Sequence, residues 1–187
     1  MSDSVLLWSV VAVLLFWTMG AYNRLVRLRS RGIVAYTSLE GLFKQYLLLV
    51  KTHCPEQPAD PALQAAAIQG NEDFYAAWTA LAAAADQFNA SLRVAHSQPL
   101  NGPTTSALRT AHETLCLSWS RLRGLASNPV GSALPDGWPA QWDQIGVQAE
   151  MARTDFNKAV ANYNQAIGQF PTFILARGFG FRPAQPI

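Results

Sequence analysis

The sequence predicts an all-α protein in which an N-terminal transmembrane helix runs on into a cytoplasmic, antiparallel four-helix bundle. Residues 4–23 form a run of 20 without a charge, most of them Val, Leu, Trp, Phe and Ala, and about 20 such residues cross a hydrocarbon core of about 30 Å as a helix. Beyond them, apolar residues recur every three or four positions in segments separated by Pro- and Gly-rich breaks, the pattern of amphipathic helices. Period-two alternation is lacking outside short runs, so strands are not expected.

Composition excludes several classes. Of the 187 residues 50% are apolar and only 14% charged, against about 25% charged in ordinary soluble domains. The chain is therefore neither a disordered polyelectrolyte nor collagen-like, and part of its apolar content serves something other than a soluble core. Cys54 and Cys116 form no C-x-x-C pair and are too few for a disulfide framework. They fit a reducing compartment or one optional bridge. A net charge of +2 argues against nucleic acid as the main partner. No internal repeat is visible.

A cleaved signal peptide is the alternative for the first segment, but Asp3 stands where a basic leader is needed, and Thr18-Met19-Gly20-Ala21 is a poor cleavage site. Trp8 and Trp17 lie near the ends of the span and Tyr22 just beyond the second, where amphipathic rings favour the headgroup level. Arg24, Arg27, Arg29 and Arg31 follow directly. This excess of arginine puts the C-terminal bulk in the cytoplasm and the N-terminus outside. The same four residues are a stop-transfer signal and, alternatively, a patch for anionic lipid. Residues 24–51 carry six basic residues and one acidic, Glu40, whereas residues 52–187 carry eight and ten.

Three parts are expected: tail and anchor at 1–23, the bundle at 24–181 and a C-terminal tail at 182–187. The first cytoplasmic helix continues the anchor, with Leu25, Leu28, Ala35, Leu39, Leu42, Tyr46 and Leu49 on one stripe and no Pro before Pro55. Asp60-Pro61 opens a second, with Leu63, Ala67, Phe74, Trp78, Leu81, Phe88, Leu92 and Ala95 inward, stopping before Pro99. Thr104 or Thr105 caps a third, whose face is Leu108, Ala111, Leu115, Trp119, Leu122 and Leu125, and which ends near Ser127. Residues 128–139 read as a crossover loop. A fourth helix resumes at Ala140, carries Trp142, Ile145, Ala149, Ala152, Phe156, Val160, Tyr163, Ile167 and Phe170 inward, and ends at Pro171. Gly178-Phe179-Gly180-Phe181 reads as an aromatic anchor docked on the bundle.

The sequence carries no established catalytic motif. No glutamate has a histidine three residues on, so the di-metal carboxylate pattern of bundles is missing, as are the nucleophile-elbow, zincin and phosphate-loop motifs. His112 and Cys116 are four apart and would meet His53 and Cys54 if the first and third helices pack together. Zinc binding or a Cys/His nucleophile on these four is the enzymatic alternative. The preferred expectation is no catalytic residue, no metal and no cofactor. Asn157, Asn162 and Asn164 flank the stripe of the fourth helix although Asn is a mediocre helix former. They face solvent, bond a neighbouring helix, or line a groove for a partner segment together with Phe179 and Phe181.

Two stretches resemble the LemA family. Tyr22-Asn23-Arg24-Leu25-Val26-Arg27-Leu28-Arg29-Ser30-Arg31 is similar to that family's Tyr-Asn-x-Leu-Val-x-Leu-Arg-Asn-Arg pattern. Residues 156–183 follow its C-terminal signature, as Phe-Asn-x-Ala-Val-x-x-Tyr-Asn-x-Ala-Ile, then Phe170-Pro171, residues 174–176 and Gly180-Phe181-Arg182-Pro183. The chain departs from the family pattern in Gly32, where Val is usual, in Ala35-Tyr36-Thr37-Ser38-Leu39-Glu40, where the family has Ala-Trp-x-x-Ile-Asp, in lacking Asp-Leu-Ile-Pro-Asn-Leu, and in its final residues. The resemblance implies a divergent, membrane-anchored helical bundle without an established reaction. By family analogy alone it implies a scaffold or adaptor in the bacterial inner membrane, partnered by a membrane protease or envelope component. A homo-oligomer or a membrane-remodelling, assembling structural protein is the alternative.

Overall fold

The computed structural model describes residues 2–53, 72–126 and 134–187, and all regular structure among them is helical. Helix α1 runs unbroken over Ser2–His53. The hydroxyls of Thr18, Thr37, Ser38 and Thr52 donate to carbonyls four residues back, which satisfies these polar groups without breaking the helix. Large apolar side chains from Leu6 to Tyr22 are exposed, and Leu25 is the first fully buried one. The apolar part of α1 is long enough to cross a membrane and is not buried by the described residues.

Helix α2 spans Glu72–Ser97 with Glu72 and Asp73 in its first turn, where acids meet the positive end of the helix dipole. The expected start at Asp60, with Leu63 and Ala67, lies outside the described residues. Helix α3 spans Gly102–Ala126. Pro103 fits its first turn, where a missing N–H costs nothing, so the helix begins ahead of the threonines expected to cap it. Thr104 Oγ1 donates back to the Gln98 and Asn101 carbonyls at 2.9 and 2.8 Å, and Thr105 to those of Asn101 and Gly102.

Helix α4 covers Trp138–Gly168 and starts two residues before the expected Ala140. Gly137 turns the chain at φ 76°, in the left-handed region, and Pro139 occupies the first turn. Trp138 is thereby moved from the expected loop into the core, its ring 5.0 Å from His53, 4.9 Å from Trp78 and 4.6 Å from Trp119. Because α4 ends at Gly168, Phe170 leaves the expected stripe and is 81% exposed. A short helix not anticipated from the sequence, α5, follows over Thr172–Gly178.

Helices α1 and α4 pair lengthwise, as do α2 and α3, around one shared core. The first pair is antiparallel: His53 meets Trp138 at one end, and Tyr36 lies 6.0 Å from Phe156 midway. Trp119 stacks on Trp142 at 4.5 Å, joining α3 to α4. The stripe residues expected to face inward on α2 from Phe74 to Ala95 and on α3 from Leu108 to Leu122 are buried, while Tyr36, Phe43 and Glu40 add to the α1 face. The side chain of Leu100, in the α2–α3 turn, sits 3.2 Å from where a Cβ on Gly32 would project. A Cβ there would push the Leu100 side chain back by a few tenths of an ångström.

Glu40 is the one acidic residue buried among the described residues, 4% exposed, with Lys44 Nζ at 2.7 Å and His96 Nδ1 at 2.9 Å. Burial pushes its carboxyl up, but the hydrogen bonds and charges of Lys44 and His96 together outweigh this and hold it below the usual carboxylate range. A depressed native-state pKa contributes stability that is present above the unfolded-state value and is lost as pH falls through the folded-state value. Chemical denaturation from pH 7 down to pH 3 is expected to show an acid loss of stability that Glu40→Gln reduces, the variant being about 1 kcal/mol less stable than the native chain at pH 7. Trp138→Ala is expected to cost about 3–5 kcal/mol in the same assay.

Candidate functional site

The residues after α5 do not hang free. Asn157 and Asn164 are seven apart on α4, two helical turns or about 10.5 Å. Pro183 and Pro186 favour an extended chain, in which residues three apart face the same side about 9 Å apart. The two spacings match, and each asparagine amide grips one residue of the tail by both of its polar atoms. Asn164 Nδ2 donates to the Ala184 carbonyl at 2.8 Å, and its Oδ1 accepts the Ala184 N–H at 2.9 Å. Asn157 makes the same pair with Ile187, both at 3.0 Å. Because residues 183 and 186 are prolines, neither has an N–H to satisfy.

Further contacts close the clamp. The Tyr163 hydroxyl donates to the Arg182 carbonyl at 2.9 Å, and the Phe181 N–H to the Ala176 carbonyl at the same distance. The Ser106 hydroxyl on α3 donates to Gln185 Oε1 at 3.0 Å, and the Gln185 side chain fills the space beside Gly102, 2.8 Å from where a Cβ would lie. The side chains of Ala184 and Ile187 are buried. The tail therefore lies over the bundle as a strap between α4 and the start of α3. Beside it is a cavity of 960 Å³, bounded by Arg29, Ile33, Leu100, Tyr163, Phe181 and Gln185 among others.

Asn157 and Asn164 thus bond no neighbouring helix among the described residues: the groove they line is filled by the chain's own residues 182–187. Asn162 points elsewhere and is exposed. Phe179 and Phe181 dock against Tyr22 of α1, with ring centroids 5.1 and 6.0 Å away. Trp8 is 71% exposed, and Trp17 and Tyr22 are each 39% exposed. Arg24, Arg27, Arg29 and Arg31 are all exposed too.

The Cys/His pair has a different character. Cys116 Sγ lies 3.6 Å from His112 Nε2, but the His112 ring is packed among Phe43, Tyr46 and Phe88. Burial, with the Arg153 charge, lowers the His112 pKa, and burial, with the Glu113 charge, pushes the Cys116 thiol up. Thiol and imidazole are thereby both held neutral, the opposite of the ion pair that activates a nucleophilic cysteine. His53 stacks on Trp138 and bonds the Leu49 carbonyl. Cys54 lies outside the described residues. Among the described residues, no three His, Cys, Asp or Glu side chains gather where they would hold a metal ion.

Fold and site together define a helical protein with a bare apolar extension on one end of its first helix and an asparagine clamp on its last long one. Residues 138–186, α4 and all of the strap but Ile187, match the model of the LemA family, a match that covers about a quarter of the chain. Neither a curated protein nor a solved structure matches the chain.

From sequence alone the asparagines read first as surface or interhelical residues. The 157/164 spacing against the prolines at 183 and 186 is the signal that reveals their partner. Asn164→Ala removes both bonds to Ala184. By amide hydrogen exchange, Ala184 is expected to exchange at least about tenfold faster, equivalent to about 1.4 kcal/mol. Asn164→Asp keeps the acceptor but sets a carboxylate against the Ala184 carbonyl, and is expected to release the strap as well, whereas Asn162→Ala leaves it in place.

Proposed function

We propose that this protein is a divergent LemA family member acting as a non-enzymatic, single-pass membrane scaffold or adaptor. In this reading residues 4–23 of α1 span the bacterial inner membrane with the N-terminus outside, and an antiparallel four-helix bundle stands on its cytoplasmic face. The observation that carries the reading is that the family-matching region, residues 138–186, holds both clamp asparagines and all of the strap but Ile187. The part of this chain that is LemA-like is a device for holding an extended peptide backbone by amide pairs that ignore side-chain identity, a mode suited to taking a segment of another chain.

Further support comes from α1 itself. Its exposed apolar half and the half packed in the bundle are one helix, which supports a bundle held close to the membrane, with the four arginines at the headgroup level in this reading. The partner is a protein whose extended segment takes the place of residues 182–187, a membrane protease or envelope component by family analogy. A second copy exchanging its strap would make the same site the contact of a homo-oligomer. No cofactor and no nucleic acid enter this reading.

The test is the mass of the full chain extracted in mild detergent, measured by light scattering with the eluted material identified by mass spectrometry. A stoichiometric second protein or a defined homo-oligomer is expected. Asn157→Ala combined with Asn164→Ala is expected to lower its occupancy at least about tenfold, the equivalent of about 1.4 kcal/mol, with helicity retained by circular dichroism. A bare monomer, or a complex indifferent to both substitutions, overturns the reading.

A further inference from the structure

The end of the fold nearest the apolar half of α1 carries an apolar surface that the clamp does not use. Phe170, Phe173, Ile174 and Phe179 are 81%, 45%, 57% and 58% exposed, while Ala176, at 3%, turns the opposite side of α5 inward. Elsewhere on the bundle, exposed apolar residues such as Leu48, Val94 and Leu117 are scattered aliphatics. The aromatics are not scattered. Among the described residues, every exposed Trp, Tyr or Phe lies either on α1 between Trp8 and Tyr22 or in this segment around α5.

The position of α5 is fixed by Tyr22, the last aromatic of the apolar half of α1, whose ring touches Phe179 at 5.1 Å and Phe181 at 6.0 Å. The two groups of exposed aromatics are therefore joined at one level of the molecule. The surrounding charge is mostly basic: Arg24, Arg27, Arg29, Arg31, Arg177 and Arg182 stand at this end, and the nearest acid, Asp155, lies by Arg27 and Arg31 and 3.9 Å from Lys158. Arg177 and Arg182 flank the aromatics and are exposed.

We infer that α5 and its flanking phenylalanines are a second membrane contact, inserted into the headgroup region of the leaflet from which α1 emerges, with Arg177 and Arg182 on anionic lipid phosphates. This rests on the proposed membrane anchor and adds to it a second point of attachment. A helix crossing a bilayer alone leaves its domain free to tilt and spin. A second, laterally displaced contact orients the bundle, so that the clamp's strap runs away from the membrane from α5 toward Ile187. Aromatic rings suit the interface because they carry apolar area to the headgroup level, and basic residues nearby add about 1 kcal/mol each on an anionic surface.

The test uses the full chain, with Cys54→Ser and Cys116→Ala, carrying an environment-sensitive fluorophore on a single introduced cysteine: Ile174→Cys, Phe16→Cys or Leu117→Cys. Each is reconstituted into phosphatidylethanolamine/phosphatidylglycerol vesicles with or without nitroxide-labelled lipid. Insertion predicts that a nitroxide at a shallow acyl position lowers the signal at 174 at least about twofold, as for a face about 5–10 Å into the headgroup–acyl boundary. The label at 16 is expected to be quenched most by a deep nitroxide and that at 117 by neither. Quenching at 16 without quenching at 174 overturns the second contact while the anchor stands, and shows the patch to be covered by something other than lipid. Absence of quenching at 16 overturns the anchor and this inference with it.

Discussion

The architecture depends on α1 being a single uninterrupted helix. Tyr22 still presents an exposed ring and Leu25 is already sealed in the core, so the change from bare helix to bundle takes less than one turn. No Pro interrupts Ser2–His53, and the hydroxyls inside it are satisfied by its own carbonyls. Everything else is registered on this rod. Helix α4 runs back along it from the His53 end to the Tyr22 end, and the α2–α3 turn reaches it only as far as Gly32, where Leu100 rests.

That arrangement leaves the end nearest Tyr22 thinner than the rest, because α2 and α3 stop short of it. The strap and α5 supply the missing layer. Burying a stretch of irregular backbone costs free energy unless its polar groups are paired, and the asparagines provide the pairing at Ala184 and Ile187, the two strap residues whose side chains are buried. Two amides on successive double turns of a helix meet an extended chain every third residue, a match of 1.5 Å and about 3.1 Å rises that needs no strand partner. The buried side chains of Ala184 and Ile187 then add apolar contact to the polar grip.

Charge is sorted along the same axis. The Tyr22 end is mostly basic, with Asp155 beside Arg27 and Arg31, while other acids lie farther along the bundle, Glu40 bound by Lys44 and His96, Asp143 by Arg123, and Glu150 by Arg153. The hydrogen bonds from Arg153, ahead of its charge and against a smaller effect of burial, hold Glu150 below the usual carboxylate range. The surface thus has an apolar aromatic tip, a mostly basic collar and a mixed far end.

The helices, most of their inward faces and the membrane-length apolar run are legible in the sequence, because a 3.6-residue periodicity and a charge-free run of 20 are local properties. The family likeness of residues 156–183 is local in the same sense, since it lies in the order and spacing of residue types along one stretch of chain. What only the tertiary structure decided is long-range. Trp138 joins the core because Gly137 and Pro139 start α4 early and three aromatic rings wait for it. Phe170 is exposed because α4 stops at Gly168 and a new helix begins. Asn157 and Asn164 have partners 30 and 20 residues away, and an amide's preference for a backbone is the same for any extended segment. Spacing alone can place such a side chain on a helix face, but only the folded chain determines which backbone reaches it.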